Sequence, residues 1–348
     1  MRKLRIAQIA PVWYSIPPKK YGGIERIISF LTEELVKRGH KVTLFAPGNS
    51  KTKAKLVSLI KEGTISSGAK WTDYWWNLLN HSVAFERASD FDIIHCHWVM
   101  MGGFFQRFVK TPVLHTLHNI PPPKNQRWKV FEYYKNDLNP VFISKSERKN
   151  SPVRFKNNWV VYNGIDISQF KFNPKPKKHF IWIARICPAK GTKEAIKIAK
   201  KAKVRLLLAG QIQPQHKKYF QDEIEPELNS QIQYVGELSQ KELSDFYESA
   251  RACLYPINWE EPFGLIMTES MACGTPVIVF DRGSAREVVK NGKTGFVVKN
   301  IKEGIEAIKK IDQIDRKECT KHVEENFSIK KMIDGYERVY YDILRKKS

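Results

Sequence analysis

Short apolar runs and helix-patterned segments alternate through both halves of this chain, and that alternation restricts the fold more tightly than any other feature. Residues 4–10 form a strand-like run, a loop through Gly22-Gly23 follows, residues 24–38 carry apolar side chains at helical spacing up to Gly39, and residues 41–46 return to a strand pattern. Further short runs lie at 92–97, 112–117, 141–144 and 159–162, the last before the turn Asn163-Gly164. A stretch rich in lysine and proline at 171–178 reads as a linker. A second series then begins, with strands at 179–183, 204–209, 232–235, 252–255, 277–279 and 295–298, helices at 192–202, 240–249, 265–272 and 285–290, and two terminal helices. Strand, helix, strand order of this kind predicts parallel sheets covered by crossover helices, with ligands at the carboxyl ends of the strands. At 348 residues the chain exceeds what one core usually supports, and 42% apolar residues suffice for two. Two Rossmann-like, doubly wound α/β domains are therefore expected, at 1–165 and 166–331, facing a central cleft, with a helix at 332–348 packing back on the first.

Composition removes several classes. No run of eighteen apolar residues exists, and the first ten residues enter a strand directly, so a cytoplasmic protein is expected. The five cysteines are scattered without C-x-x-C spacing and imply neither a metal site nor a disulfide framework. The formal charge of +23 would suit nucleic acid, an anionic membrane surface or a phosphorylated substrate. Most lysines fall on polar helix faces, and no nucleic-acid-binding spacing is present, so specific nucleic-acid recognition is not expected. Lys19 and Lys20, with Trp13 and Tyr14 just upstream, suggest a basic, partly aromatic rim suited to a phosphorylated acceptor or to peripheral contact with an anionic membrane.

The segment with most chemistry is Glu261-Pro262-Phe263-Gly264-Leu265-Ile266-Met267-Thr268-Glu269, continuing to Ile278. Pro262 and Gly264 mark a loop that turns into a helix, which puts Glu261 before the helix and Glu269 inside it. The backbone amides of Phe263, Gly264 and Leu265 lie at the helix start, where unpaired N–H groups favour an anionic or hydroxyl-rich ligand. Two carboxylates beside such amides suit a sugar nucleotide. The segment resembles the E-x7-E signature of retaining glycosyltransferases of the GT-B fold, in the large family 4. By that resemblance Glu261 faces the donor sugar and Glu269 binds the nucleotide ribose.

Other segments extend the likeness. Tyr21-Gly22-Gly23-Ile24-Glu25-Arg26 is similar to the family's N-terminal glycine loop, which implies that Gly22 and Gly23 approach the diphosphate. Ala184-Arg185-Ile186-Cys187-Pro188-Ala189-Lys190-Gly191 resembles its G-R-L-x-x-x-K-G segment, with Ala184 in place of the first glycine; Arg185 and Lys190 would then stabilise the departing diphosphate. His118, at the loop edge of the run ending His115-Thr116-Leu117-His118-Asn119, corresponds to a histidine that meets the donor sugar, whereas His95 and His97 read as packing residues. Val235, Gly236 and Leu238 resemble a base-binding loop. Asp90-Phe91-Asp92 has the form of a D-x-D metal motif but precedes a strand without a second acidic cluster, so no required metal or other cofactor is expected.

The resemblance implies transfer of a hexose from a nucleotide sugar, a UDP-hexose such as UDP-glucose, to an acceptor hydroxyl with retention at the anomeric carbon. A UDP-sugar epimerase or a phosphorylase on the same fold, or a non-catalytic polyanion-binding protein, are the alternatives. The acceptor, whether small molecule, glycan or lipid-linked, has no recognisable code; Trp13, Tyr14, Lys19, Lys20, Trp98 and Trp128 are the candidate contacts.

Overall fold

The structure is a computed structural model that describes residues 2–19, 22–70, 73–119 and 126–347. They divide into two compact units, one drawn from residues 1–164 and 329–348, the other from 165–328. Unit 1 holds a seven-stranded sheet of β1 (Arg5–Ile9), β2 (Lys41–Phe45), β3 (Lys55–Val57), β4 (Ile93–Cys96), β5 (Val113–Leu117), β6 (Pro140–Phe142) and β7 (Trp159–Val160), in the order β3-β2-β1-β4-β5-β6-β7. Unit 2 holds a six-stranded sheet of β8 (Phe180–Ile183), β9 (Leu206–Ala209), β10 (Ile232–Tyr234), β11 (Ala252–Tyr255), β12 (Val277–Phe280) and β13 (Gly295–Val298), in the order β10-β9-β8-β11-β12-β13. Every neighbouring pair is parallel.

Parallel strands are covered on both faces, which is why β4, β8, β11 and β12 are buried along their whole length; β8 and β12 read as continuous apolar runs, whereas β4 carries the buried His95. In both sheets the chain order reverses beside the first strand, between β1 and β4 and between β8 and β11. The loops leaving those two strands diverge to opposite sides, opening a crevice at the carboxyl edge of each sheet.

Helix Gly23–Lys37 follows β1 and buries Ile27, Ile28, Leu31 and Leu35, one stripe at helical spacing. Each such aliphatic side chain contributes roughly 1.5–3 kcal/mol when removed from water. The last helix, Ile329–Lys347, belongs to unit 1 and buries Met332, Ile333, Tyr336, Val339, Tyr340 and Ile343. Arg38 pairs with Asp334 at 2.7 Å and Glu337 at 2.5 Å, and His40 meets Glu337 at 2.8 Å, which fixes the rotation of that helix.

Three sequence expectations change, and one helix lies where the sequence pattern shows none. Residues 171–178 are not a linker but a strap inside unit 2, tied by Lys171 N to Ser244 Oγ, Asn173 N to Cys273 O and Lys177 N to Ser249 O. The chain after β13 forms three long helices, Ile301–Lys310, Arg316–Asn326 and Ile329–Lys347, because Asp315 caps the second and Phe327-Ser328, with Ser328 bridged to Ile165, separates it from the third. Helix Trp75–Glu86 was hidden because its polar side chains point inward. Asn77 accepts from Val12 N at 2.9 Å and Asn80 donates to Ala10 O at 3.1 Å, while Trp75, Trp76 and Leu79 face solvent. Trp128, offered as an acceptor contact, is a core residue packed with Leu117, Phe131 and Phe142.

Candidate active site

In unit 2 the loops leaving β8 and β11, on either side of the order reversal, carry a compact charged cluster. After β8 a single 3-10 turn, Pro188–Lys190, presents Lys190, and Gly191 follows in a left-handed conformation at φ 72°. A Cβ on Gly191 would stand 1.8 Å from the Pro256 carbonyl oxygen, so only glycine lets the two loops touch. Asn258 N to Ala189 O at 2.8 Å and Trp182 Nε1 to Lys190 O at 3.1 Å lock the contact. Oε2 of Glu261 then receives three donors: Lys190 Nζ at 2.6 Å, Tyr255 hydroxyl at 2.6 Å and Trp259 Nε1 at 2.9 Å. The Lys190 ammonium also lies 4.4 Å from the centre of the Trp259 ring.

Burial of Glu261 works to raise its pKa, but the charge and hydrogen bond of Lys190, with those of Tyr255 and Trp259, hold the carboxyl below its ordinary 4.5. It is a buried carboxylate kept charged. The loop behind it is fixed by Ser284 N to Glu261 O at 2.9 Å and Ser284 Oγ to Phe263 O at 2.7 Å. Gly264, at φ 80°, caps helix Leu265–Ala272, and this left-handed backbone makes the turn from Glu261 into the helix depend on glycine. Phe263 is buried beneath it against Phe327. Glu269 is buried in the same helix and accepts from the Tyr247 hydroxyl at 2.9 Å. Glu261 and Glu269 thus stand before and within the helix.

The remaining unit 2 candidates share this sheet edge. Arg185, after β8, donates to Gln213 at 3.2 Å, and Gln213 follows β9. Val235, Gly236 and Leu238 follow β10; Val235 is 44% exposed and Gly236 O accepts from Gly210 N at 2.9 Å. Trp259, and Tyr255 as a side chain, were missed from sequence. Their signal was faint: Tyr255 ends the strand expected at 252–255, where alternation does not say which loop residue it meets, and Trp259 lies in the loop two positions before Glu261 with no period to give its direction.

In unit 1 the loop after β1 ends at Gly22, at φ 148°, where a Cβ would stand 2.7 Å from Pro18, and Gly23 opens the helix. Glu25, in the first turn, is buried; burial pushes its carboxyl up to about 7, against the pull of its own backbone N–H and of Arg26. His118 directly follows β5 and is partly exposed. Its Nε2 lies 3.1 Å from His97 Nδ1, and His97 Nε2 lies 2.6 Å from Gln8 Oε1. Burial pushes His118 down to about 3 and takes His95 and His97 well below their ordinary value, so all three are neutral at physiological pH. His95 and His97 are therefore hydrogen-bonding residues rather than packing residues.

Trp98, after β4, packs against Trp13 at 5.1 Å and Tyr74 at 5.3 Å. Lys19 is exposed, and Lys20 and Tyr21 lie outside the described residues. Asp92 is held by Arg2 and Arg5 and Asp90 by Arg87, which engages both ends of the D-x-D segment in ion pairs, with Phe91 buried between them. Among the described residues no helix is long and apolar enough to cross a membrane.

Two parallel α/β units with these strand orders are the architecture of the GT-B glycosyltransferases. Residues 21–169 match Glycosyltransferase Family 4 and residues 165–326 match Glycosyl transferases group 1, so the two matches run through the chain from 21 to 326. The chain belongs to the group 1 glycosyltransferases. Among relatives, a glycosyltransferase of Methanocaldococcus jannaschii is 22% identical over 336 residues, covering 84% of this chain and 85% of the relative. Among solved structures, sucrose-phosphate synthase from Thermosynechococcus elongatus superposes with a TM-score of 0.81 at 19% identity, covering 99% of this chain and 100% of that one. Anabaena HepE in complex with UDP and glucose superposes with a TM-score of 0.75 at 16% identity, covering 97% and 100%.

Proposed function

We propose that this glycosyltransferase moves a hexose from a UDP-sugar to an acceptor hydroxyl with retention at the anomeric carbon. The observation that carries the proposal is the convergence of Lys190, Tyr255 and Trp259 on one oxygen of Glu261 beside the order reversal of unit 2. Oε2 is occupied, and Oε1, which accepts no hydrogen bond from the described residues, is the oxygen offered to a sugar hydroxyl. The likeness to a protein solved with UDP and glucose supports the choice of donor.

In this reading the acceptor oxygen attacks the anomeric carbon on the face from which the nucleoside diphosphate leaves. The bond from that carbon to the β-phosphate oxygen breaks, and the acceptor proton passes to the phosphate. Lys190 and Arg185 balance the charge that grows on the leaving diphosphate, so no divalent cation is required. The amides of Phe263, Gly264 and Leu265, with those of Gly22 and Gly23, contact phosphate oxygens. Glu269 binds the ribose, the Val235 to Leu238 loop the base, and His118 a sugar hydroxyl.

The test is to incubate the protein with a panel of UDP-hexoses and candidate acceptors in EDTA and follow the anomeric proton by NMR. An α-linked product from an α-linked donor is expected. An inverted product, or activity lost in EDTA and restored by Mg²⁺ or Mn²⁺, would contradict the proposal. An epimer formed with water alone, or phosphate-dependent cleavage without nucleotide, would replace it with an epimerase or a phosphorylase.

A further inference from the structure

The hydrogen bonds of His118 continue into the core of unit 1 and reach its last helix. Beyond His97, Gln8 Nε2 donates to the Tyr340 hydroxyl at 3.0 Å, Tyr340 meets His95 Nδ1 at 2.8 Å, His95 Nε2 meets Thr116 Oγ1 at 2.7 Å, and Thr116 meets the Tyr336 hydroxyl at 3.0 Å. Gln8, His95, Thr116, Tyr336 and Tyr340 are each no more than 1% exposed. No member of this chain carries a formal charge when its imidazoles are neutral, so the positions of the protons follow from donor and acceptor type with the Gln8 amide oxygen toward His97 and its N–H toward Tyr340.

Gln8 sets the direction. Its Oε1 can only accept, so His97 Nε2 must carry a hydrogen. A neutral imidazole with hydrogen on Nε2 has a lone pair on Nδ1, so the hydrogen between His97 and His118 belongs to His118 Nε2. His118 Nδ1 is then a lone pair, and it makes no hydrogen bond to the described residues. On the other side the Gln8 N–H donates to Tyr340, whose own hydrogen goes to His95 Nδ1; His95 Nε2–H then donates to Thr116. The helix bearing Tyr336 and Tyr340 is held in rotation by the Arg38 and His40 pairs to Asp334 and Glu337.

We propose that the C-terminal helix is a positioning element for His118: through Tyr340, Gln8 and His97 it fixes His118 as the Nε2–H tautomer and presents Nδ1 as an acceptor for a substrate hydroxyl. The role of that lone pair in transfer rests on the function proposed above; the tautomer does not. Gln8, His97 and Tyr340 are positioning residues, acting only through His118. A tautomer reversal would point a hydrogen at the hydroxyl instead and reverse which partner donates.

The experiment is long-range ¹H–¹⁵N correlation on the full-length protein labelled in histidine, with His118→Gln used to assign the resonance, alongside kinetics of Gln8→Leu and Tyr340→Phe. The expected wild-type spectrum has a protonated Nε2 and an unprotonated Nδ1 on His118. In Gln8→Leu both tautomers should appear and kcat should fall about tenfold, with donor KM changed less than about twofold; Tyr340→Phe, a milder change less exposed to misfolding, should give about threefold. A protonated Nδ1 in the wild type, or an unchanged tautomer in both variants, would overturn the proposal. If the tautomer shifts as expected but His118→Ala turns over like wild type, the positioning chain stands and the catalytic role of His118 fails.

Discussion

Unit 1 and unit 2 both concentrate polar side chains where the strand order reverses, yet they do so with opposite chemistry. In unit 1 the imidazoles of His95, His97 and His118 are joined through Gln8, Thr116 and two tyrosines, and burial keeps the imidazoles neutral. In unit 2 Lys190 and Glu261 form a mostly buried ion pair at 2.6 Å, with side chains 12% and 9% exposed, and Tyr255 and Trp259 add neutral donors. A neutral chain can hold a geometry but exerts little force on a phosphate. A charged cluster attracts an anion, at a desolvation cost of several kcal/mol per ion that the pair only partly offsets. In the proposed reaction the difference separates orientation, in unit 1, from charge stabilisation, in unit 2.

The largest effect should come from breaking the charged cluster on one side. Lys190→Met should cut turnover about a hundredfold or more and destabilise unit 2 by about 3 kcal/mol, because it leaves Glu261 charged, buried and unpaired. Adding Glu261→Gln in the same chain should recover most of the stability and none of the turnover. Recovery of both, measured by urea unfolding and initial rates, would reduce the cluster to a structural feature.

Next is acid. In unit 1 His81 is lowered to about 4, His115 and His118 to about 3, and His95 and His97 well below 6.5, all chiefly by burial. Glu25, raised to about 7, binds its proton in the folded unit and opposes one of them, but five histidines outweigh it, so below pH 6.5 the unfolded chain binds more protons and stability falls as pH drops. The slope is about 1.4 kcal/mol per pH unit for each histidine that protonates only on unfolding. Unit 2 has two lowered histidines, His179 and His322, and the Glu261 contribution is lost only as pH falls below the ordinary 4.5. Urea midpoints read for each unit by pulse proteolysis and peptide mapping should drop more in unit 1 between pH 6.5 and 5. Equal drops would erase the contrast.

Smaller effects sharpen it. Trp259→Phe removes one donor to Glu261 while keeping a ring near Lys190, and should lower kcat about tenfold. Glu269→Ala should act on donor affinity with kcat nearly unchanged, since a ribose contact is alike in ground and transition states. Unchanged UDP affinity by calorimetry would remove Glu269 from the ribose.

Much of this was legible because parallel sheets write themselves as apolar runs between helices. The strands of unit 2, the turn at Gly264 and the glutamates on either side of it follow from local rules. The helices of unit 1 were harder: Trp75–Glu86 turns Asn77, Asn80 and His81 inward, which inverts the pattern that periodicity detects. The partners of Glu261 and His118 were not legible either. Lys190 meets Glu261 across 71 positions and Gln8 meets Tyr340 across 332, and spacing carries no information about such pairs. His97 shows the same limit, since strand alternation buries it but cannot tell a packing ring from one bonded at both nitrogens.

The most direct test concerns Glu261→Gln, which keeps the shape of the cluster and removes its charge. UDP affinity and turnover of a UDP-hexose should be measured on the same preparation. The expected result is UDP affinity within about twofold of wild type and turnover lower by about a hundredfold or more, because in the proposed reaction the carboxylate acts where the sugar bond breaks and not where the nucleotide rests. Turnover near the wild-type value in a folded Glu261→Gln protein would contradict the assignment of this cluster as the reaction centre.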